Sequence, residues 1–291
     1  MGRFKHSWNV FRKSWNVIGE NKKLLLFPAV SFCAVSGVIL LTATGTAVGL
    51  SGESGEILIR DRNPDGNYNW MWTGAWFLVY LLLSLTANIC TTAFYSEIFR
   101  ALRGKKVFLL HGFRCAAARI TVLTGWTLLA STVGLFLRLF QPRVGGLGLF
   151  LFRSAGLIWV VASCFAIPAI VFDPHIRNPF RALKVSSETI RATWGEALIG
   201  FAGMRLLAYG AFFIWGVLAL TLLSAAWMEP EFFAGVALVI PLLFLVFLAF
   251  GYMVFTAEKV YLASLFLYAK GWERGPYSER EMQQAFIPEE E

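Results

Sequence analysis

Six stretches of this chain are each long and apolar enough to cross a bilayer, and that fixes the solvent in which it folds. A helix needs about 20 mostly apolar residues, at ~1.5 Å per residue, to span the ~30 Å hydrocarbon layer. Residues 24–50, 71–99, 120–140, 149–172, 197–227 and 232–267 meet that length. Of the 291 residues, 57% are hydrophobic and 15% are charged, against about 25% charged in an ordinary soluble domain. Too few polar side chains remain to cover a water-exposed surface, so lipid must cover part of it. Soluble, disordered and disulfide-rich classes are excluded. The apolar runs do not alternate, which argues against lumen-facing barrel strands. The expected fold class is an all-α polytopic membrane protein of six transmembrane helices with amphipathic interfacial helices.

Charge gives the orientation. The chain carries 26 Lys+Arg against 18 Asp+Glu, a net charge of +8. In a soluble protein that excess suggests nucleic acid, but here it follows the bias of basic residues toward cytoplasmic loops. With six spans, twenty Lys/Arg fall on the side that holds both termini and five on the other. The expectation is a multi-pass protein of the inner (cytoplasmic) membrane with both ends cytoplasmic and no cleaved signal. The organisation reads as an interfacial amphipathic helix at 1–23, a transmembrane domain at 24–269, and a cytoplasmic tail at 270–291. In that tail Ser278 and Glu281 form a capping box for a short helix.

Amphipathic segments precede the first and fifth spans. Phe4, Trp8, Phe11, Trp15 and Ile18 step by four and three residues and form one apolar stripe on a helix, with Lys5, Arg12 and Lys13 off it. Such a helix puts rings at the acyl boundary and cations toward anionic headgroups. Phe180, Leu183, Ser187, Ile190 and Trp194 repeat the rhythm before the fifth span. Ser7, Phe11, Arg12, Ser14 and Trp15 align with Ser186, Ile190, Arg191, Thr193 and Trp194. This suggests an internal repeat of amphipathic helix plus transmembrane hairpin.

Few residues have the pattern of a reactive site. Cys33, Cys90, Cys115 and Cys164 have no C-x-x-C spacing and read as small hydrophobes. His6, His111 and His175 have no second ligand at metal spacing, so no metal or cofactor is expected. Gly145, Gly146 and Gly148 lack the strand and lysine of a phosphate loop and read as a turn. Gly45 and Gly49 allow close helix approach. The sharper candidates are ionisable groups at membrane depth, where a charge must be paired, hydrated or within snorkelling reach. Arg205 lies about 12 Å beyond the start of the fifth span at ~1.5 Å per residue. Glu258 and Lys259 lie at a similar depth in the sixth, so Arg205 and Glu258 form a candidate intramembrane ion pair. Arg138 and Arg153 sit near the outer interface, positioned for lipid phosphate. Glu97, Asp173 and Glu196 lie at helix ends, suited to capping or headgroup contact.

The segments Phe165 to Asp173, then Pro179, Phe180, Ala182, Leu183, Ser186, Thr193, Trp194, Gly195 and Glu196, resemble the central signature of a prokaryotic integral membrane family known as a domain of unknown function. Gly2, Arg3, Phe4, Ser7, Trp8, Ser14, Trp15 and Leu26 to Pro28 resemble its N-terminal part. Leu267 to Ala269, Gly271 and Ala285 to Pro288 resemble its C-terminal part. Asp173 stands where the pattern has Glu, and residues 272–277 depart from it. The resemblance implies six helices and a membrane address, and no activity.

Three functions compete. A non-enzymatic scaffold or accessory subunit of a membrane complex asks least of the residues, with the lipid bilayer and a membrane-protein partner or second copy as partners and no role for nucleic acid. A small-solute or ion transporter or channel would use Arg205 and Glu258. A lipid-acting enzyme lacks any His, Asp or Ser constellation to support it.

Overall fold

A computed structural model describes residues 15–49, 70–140, 147–192, 209–224 and 233–271. Every regular element among them is helical. In chain order these are α1 (Leu26–Gly49), α2 (Trp70–Leu102), α3 (Leu109–Ala118), α4 (Ile120–Phe140), α5 (Leu147–Ser163), α6 (Ala166–Phe172), α7 (Pro179–Ala192), α8 (Tyr209–Ser224) and α9 (Phe233–Ala269). Among the described residues, five helices are long and apolar enough to cross a membrane: Lys22–Gly45, Gly74–Leu102, Ile120–Leu137, Gly148–Phe172 and Val239–Ala269. They correspond to the first four expected spans and the sixth. The fifth is represented by the 16-residue α8, because the rest of 197–227 lies outside the described residues.

The chain divides into two compact units. One comprises Leu26–Glu97 and Val107–Ile190, with α1, most of α2, and α3 to α7. Its packing is lopsided along the helices. Phe27, Phe94, Leu123, Trp126, Phe165 and Ile170 are buried, and they lie near the start of α1, the end of α2, the start of α4 and around α6. Phe32, Leu40 and Leu41 of α1, Leu78 of α2, and Phe150, Leu157 and Ile158 of α5 are exposed. A water-soluble bundle would bury such side chains, whereas lipid tails accept them at no cost. This unit therefore has a protein-packed end, and the remaining lengths of its helices present apolar side chains outward.

Hydroxyls within the apolar lengths bond to their own helix. Ser31, Thr42, Thr86, Thr92, Thr127 and Thr132 each donate to the carbonyl four residues back. That satisfies them where no water is present. Asn88 is the exception on α2, since its Nδ2 donates to Thr127 Oγ1 on α4 at 2.9 Å. Replacing Asn88 by leucine should lower stability by about 0.6 kcal/mol, the average for polar pairs between membrane helices. Thermal unfolding in detergent measures it, with Thr127→Val giving no further loss once Asn88 is gone.

The second unit comprises the described parts of Met1–Leu25, Ile98–Lys106 and Arg191–Glu291. A helical turn at 15–20 leads to a 3-10 helix at Lys22–Leu25 that packs on α9. Phe99 and Phe266 meet with ring centroids 6.1 Å apart. On α8, Trp215 lies 5.5 Å from the rings of Phe244 and Phe247 of α9. The 37 residues of α9 extend about 55 Å at ~1.5 Å per residue, longer than the hydrocarbon is thick.

The fourth span differs in detail from the single rod its sequence suggests. It breaks at Cys164–Phe165 between α5 and α6. Pro168 explains the position, because its ring cannot coexist with a helical carbonyl four residues back and it has no N–H to donate there. The break frees Phe165 N–H and Ala162 C=O, and the Ser186 hydroxyl of α7 takes both. It accepts from Phe165 N–H at 3.0 Å and donates to Ala162 O at 2.6 Å. Ser186→Ala should cost about 1–3 kcal/mol, the usual penalty for stranded buried polar groups. Ser186→Thr, which keeps the hydroxyl, should recover most of the thermal midpoint.

On α7 the helix buries Ala182, Ser186, Thr189 and Ile190, while Phe180 stays exposed and Leu183 and Ser187 are half-buried. Small residues permit close helix approach where lipid would solvate a phenylalanine equally well.

Candidate functional site

The most unusual group in the packed end is a carboxylate. Glu97 is 0% exposed, although acids are among the side chains least often buried. It lies 28 residues into the 33-residue α2, where its own helix offers no N–H donors. The chain turns directly afterwards. Gly104, at φ 70°, stands just beyond the helix end, where a left-handed residue closes it. Gly104 N–H donates to Ala101 O at 2.9 Å and Lys105 N–H to Arg100 O at 2.9 Å, the paired bonds of a Schellman motif. Arg100 Nη2 also donates to Lys106 O at 3.1 Å.

The N-terminus of α3 needs an acceptor from elsewhere in the chain. The residue before α3 is Phe108, whose side chain cannot cap the helix. Glu97 does so across the turn, with Phe108 N–H donating to Glu97 Oε2 at 2.8 Å. The other oxygen, Oε1, lies 2.6 Å from Nδ1 of His111, which is on the first turn of α3. The carboxylate is thus shared between a helix N-terminus, whose dipole favours a negative charge, and an imidazole that is 47% exposed. The capping role that the sequence allows for Glu97 is what the geometry shows. His111, for which the sequence offers no partner at metal spacing, pairs with a buried acid while its ring stays half-exposed.

Gly112 closes the joint. A Cβ there would lie 2.7 Å from Ala93 O, 3.1 Å from Glu97 Cγ and 3.1 Å from Phe27 Cε1. Glycine is required for contact rather than for conformation. Phe27 stacks on Phe94 at 5.5 Å and on Phe113 at 6.3 Å. Three helices therefore meet around one carboxylate. A second clamp lies beyond α3, where Arg119 Nη1 donates to Pro174 O at 2.7 Å and ties the start of α4 to the turn after α6.

Chemically, a carboxylate that orients an imidazole leaves the far ring nitrogen defined in direction. Among the described residues no group of three His, Cys, Asp or Glu is placed to hold a metal ion.

Of the candidates that the sequence puts forward, Glu258 and Lys259 lie half-buried on α9, with Lys259 Nζ 5.2 Å from the centroid of the Phe255 ring. Arg205, Trp194, Phe4, Trp8 and Phe11 lie outside the described residues, as do Ser7, Arg12, Ser14 and Thr193 of the suggested repeat and the capping box of the tail. Trp15 is exposed in the helical turn at 15–20, and Arg153 is exposed on α5. Arg138 falls within α4. The sequence does not single out the Glu97–His111 pair. Its one local signal is an acid near a helix C-terminus succeeded, beyond an Arg-Gly-Lys turn, by a helix with no cap of its own.

Helices of this length and apolarity define an all-α multi-pass membrane protein. The chain belongs to a family of unknown function, DUF6159, whose model matches residues 72–276. The match includes Glu97, His111, Gly112 and Ser186, and it leaves the expected N-terminal interfacial segment and first span outside. No curated protein and no solved structure matches the chain.

Proposed function

We propose that this protein is a non-enzymatic scaffold or accessory subunit of a complex in the inner (cytoplasmic) membrane. The observation that carries the reading is how the packed end uses its buried and half-buried polar groups. Glu97 caps α3, Ser186 repairs the break between α5 and α6, and Asn88 binds Thr127. Each is committed to a joint between helices. A carrier has to rearrange such joints during its cycle, whereas a scaffold benefits from fixed ones.

The proposed orientation puts the Glu97 end and both termini in the cytoplasm, supported by the twenty basic residues on that side against five opposite. The 15–20 turn and α7 would lie along that face as interfacial helices.

The test is in-membrane photocrosslinking from the exposed apolar face of α5, with identification of the adducts. One partner chain, or a second copy, recovered in fixed ratio at Leu157 and Ile158 supports the reading. Solute uptake by proteoliposomes that is lost in Glu258→Gln, with no adduct formed, would replace it with transport through the sixth span.

A further inference from the structure

The outward side of α7 is chemically divided. The buried face consists of small residues, Ala182, Ser186 and Thr189, closed by Ile190. Opposite it stand Arg181 and Lys184, three residues apart and both exposed, with exposed Arg177 just before the helix. Between the two faces Phe180 is 64% exposed, and half-buried Leu183 lies three residues on along the same flank.

The level of this surface is set by its neighbours. The turn leaves α6 at Phe172, the end of a helix long enough to cross the membrane. Arg119, directly before the membrane-crossing α4, holds the turn through Pro174 O. A Cβ on Gly125, in the second turn of α4, would lie 3.5 Å from Pro179 Cγ, so the start of α7 is seated against that span. The three cations therefore lie where transmembrane helices leave the hydrocarbon, beside a phenyl ring that water does not favour.

We propose that Arg177, Arg181 and Lys184 form a headgroup site for an anionic phospholipid, whose phosphate the cations take while its acyl chains lie along Phe180 and Leu183. Charge complementarity selects the anion, and arginine's planar fork suits phosphate oxygens. The exposed ring selects a lipid over a free phosphate or an acidic protein segment. This inference is independent of the scaffold reading, because it rests only on the charge and exposure of the α7 surface.

The test is equilibrium binding of fluorescent phosphatidylglycerol to the full chain in mild detergent, with phosphatidylcholine as the neutral reference. Each cation near an anionic surface strengthens binding about fivefold, so the triple variant Arg177→Gln, Arg181→Gln, Lys184→Gln should bind roughly a hundredfold more weakly. A control triple of equal charge loss, Arg103→Gln, Lys105→Gln, Lys106→Gln, should change binding less than about threefold, since none of these side chains belongs to the α7 surface and net charge alone is screened by salt. Should the first triple lower the thermal midpoint, Arg177→Lys with Arg181→Lys keeps the charge and should keep most of the binding. A loss below tenfold, an equal loss in the control triple, or displacement of the lipid by inorganic phosphate or an oligoglutamate at equal concentration overturns the proposal.

Discussion

Replacing Gly112 by alanine should lower the stability of the full chain by about 3 kcal/mol, the upper end of the usual cost of overpacking. Most overpacked sites relax by turning a side chain. Here the nearest atom is a backbone oxygen, Ala93 O, at 2.7 Å from the new Cβ, and it belongs to the body of α2, where it cannot move without the helix. The added methyl also faces Glu97 Cγ and Phe27 Cε1, each at 3.1 Å. Relief requires α3 to retreat, which lengthens the Glu97–Phe108 and Glu97–His111 bonds together. The expected reading is a fall in thermal midpoint of roughly 6–12 °C for a body of this size, with Gly112→Val failing to assemble. As a reference, Gly45→Ala should shift the midpoint little, because a Cβ there meets nothing within 4 Å.

The second large effect belongs to Glu97. Glu97→Leu removes the acceptor for Phe108 N–H and the partner of His111 in one step, and it takes this side-chain cap from the start of α3. Loss of a cap costs about 0.5–2 kcal/mol, and loss of a hydrogen bond to a carboxylate costs about 1.5–3 kcal/mol. Allowing for overlap between the two, the variant should lose about 3 kcal/mol. Glu97→Gln separates the contributions. Its amide oxygen can still accept from Phe108, so about half of the loss should return. The missing half reports the charge-assisted share, since bonds to an ionised group are roughly twice as strong as neutral ones. A Glu97→Leu chain that unfolds at the midpoint of the unaltered protein would show that α3 is held by other contacts.

The architecture was readable where physics acts locally along the chain. Apolar runs of span length predict membrane helices whatever they pack against, and α1, α2, α4, α5–α6 and α9 lie where the sequence puts them. Pro168 marks the damaged region of the fourth span, because proline acts on its own backbone. The residue that repairs the damage does not announce itself, since Ser186 lies 21 residues beyond Phe165 and looks like any small helix residue. Glu97 and His111 are hidden for the same reason, being 14 residues apart on different helices. The packed face of α7 is hidden for a different reason. A period of 3.6 identifies an apolar stripe, but in a membrane protein the stripe of large side chains can face lipid while small residues face protein. Periodicity therefore located the helix and left its small-residue face, Ala182, Ser186 and Thr189, unmarked.

Cysteine labelling in intact spheroplasts, in a background with the four native cysteines replaced, tests most directly whether the packed, basic end built around Glu97 faces the cytoplasm. Lys105→Cys and Arg181→Cys should react with a membrane-impermeant maleimide only after permeabilisation, and Asn67→Cys should react in intact spheroplasts. Labelling of Lys105→Cys or Arg181→Cys without permeabilisation, or of Asn67→Cys only with it, would contradict that orientation.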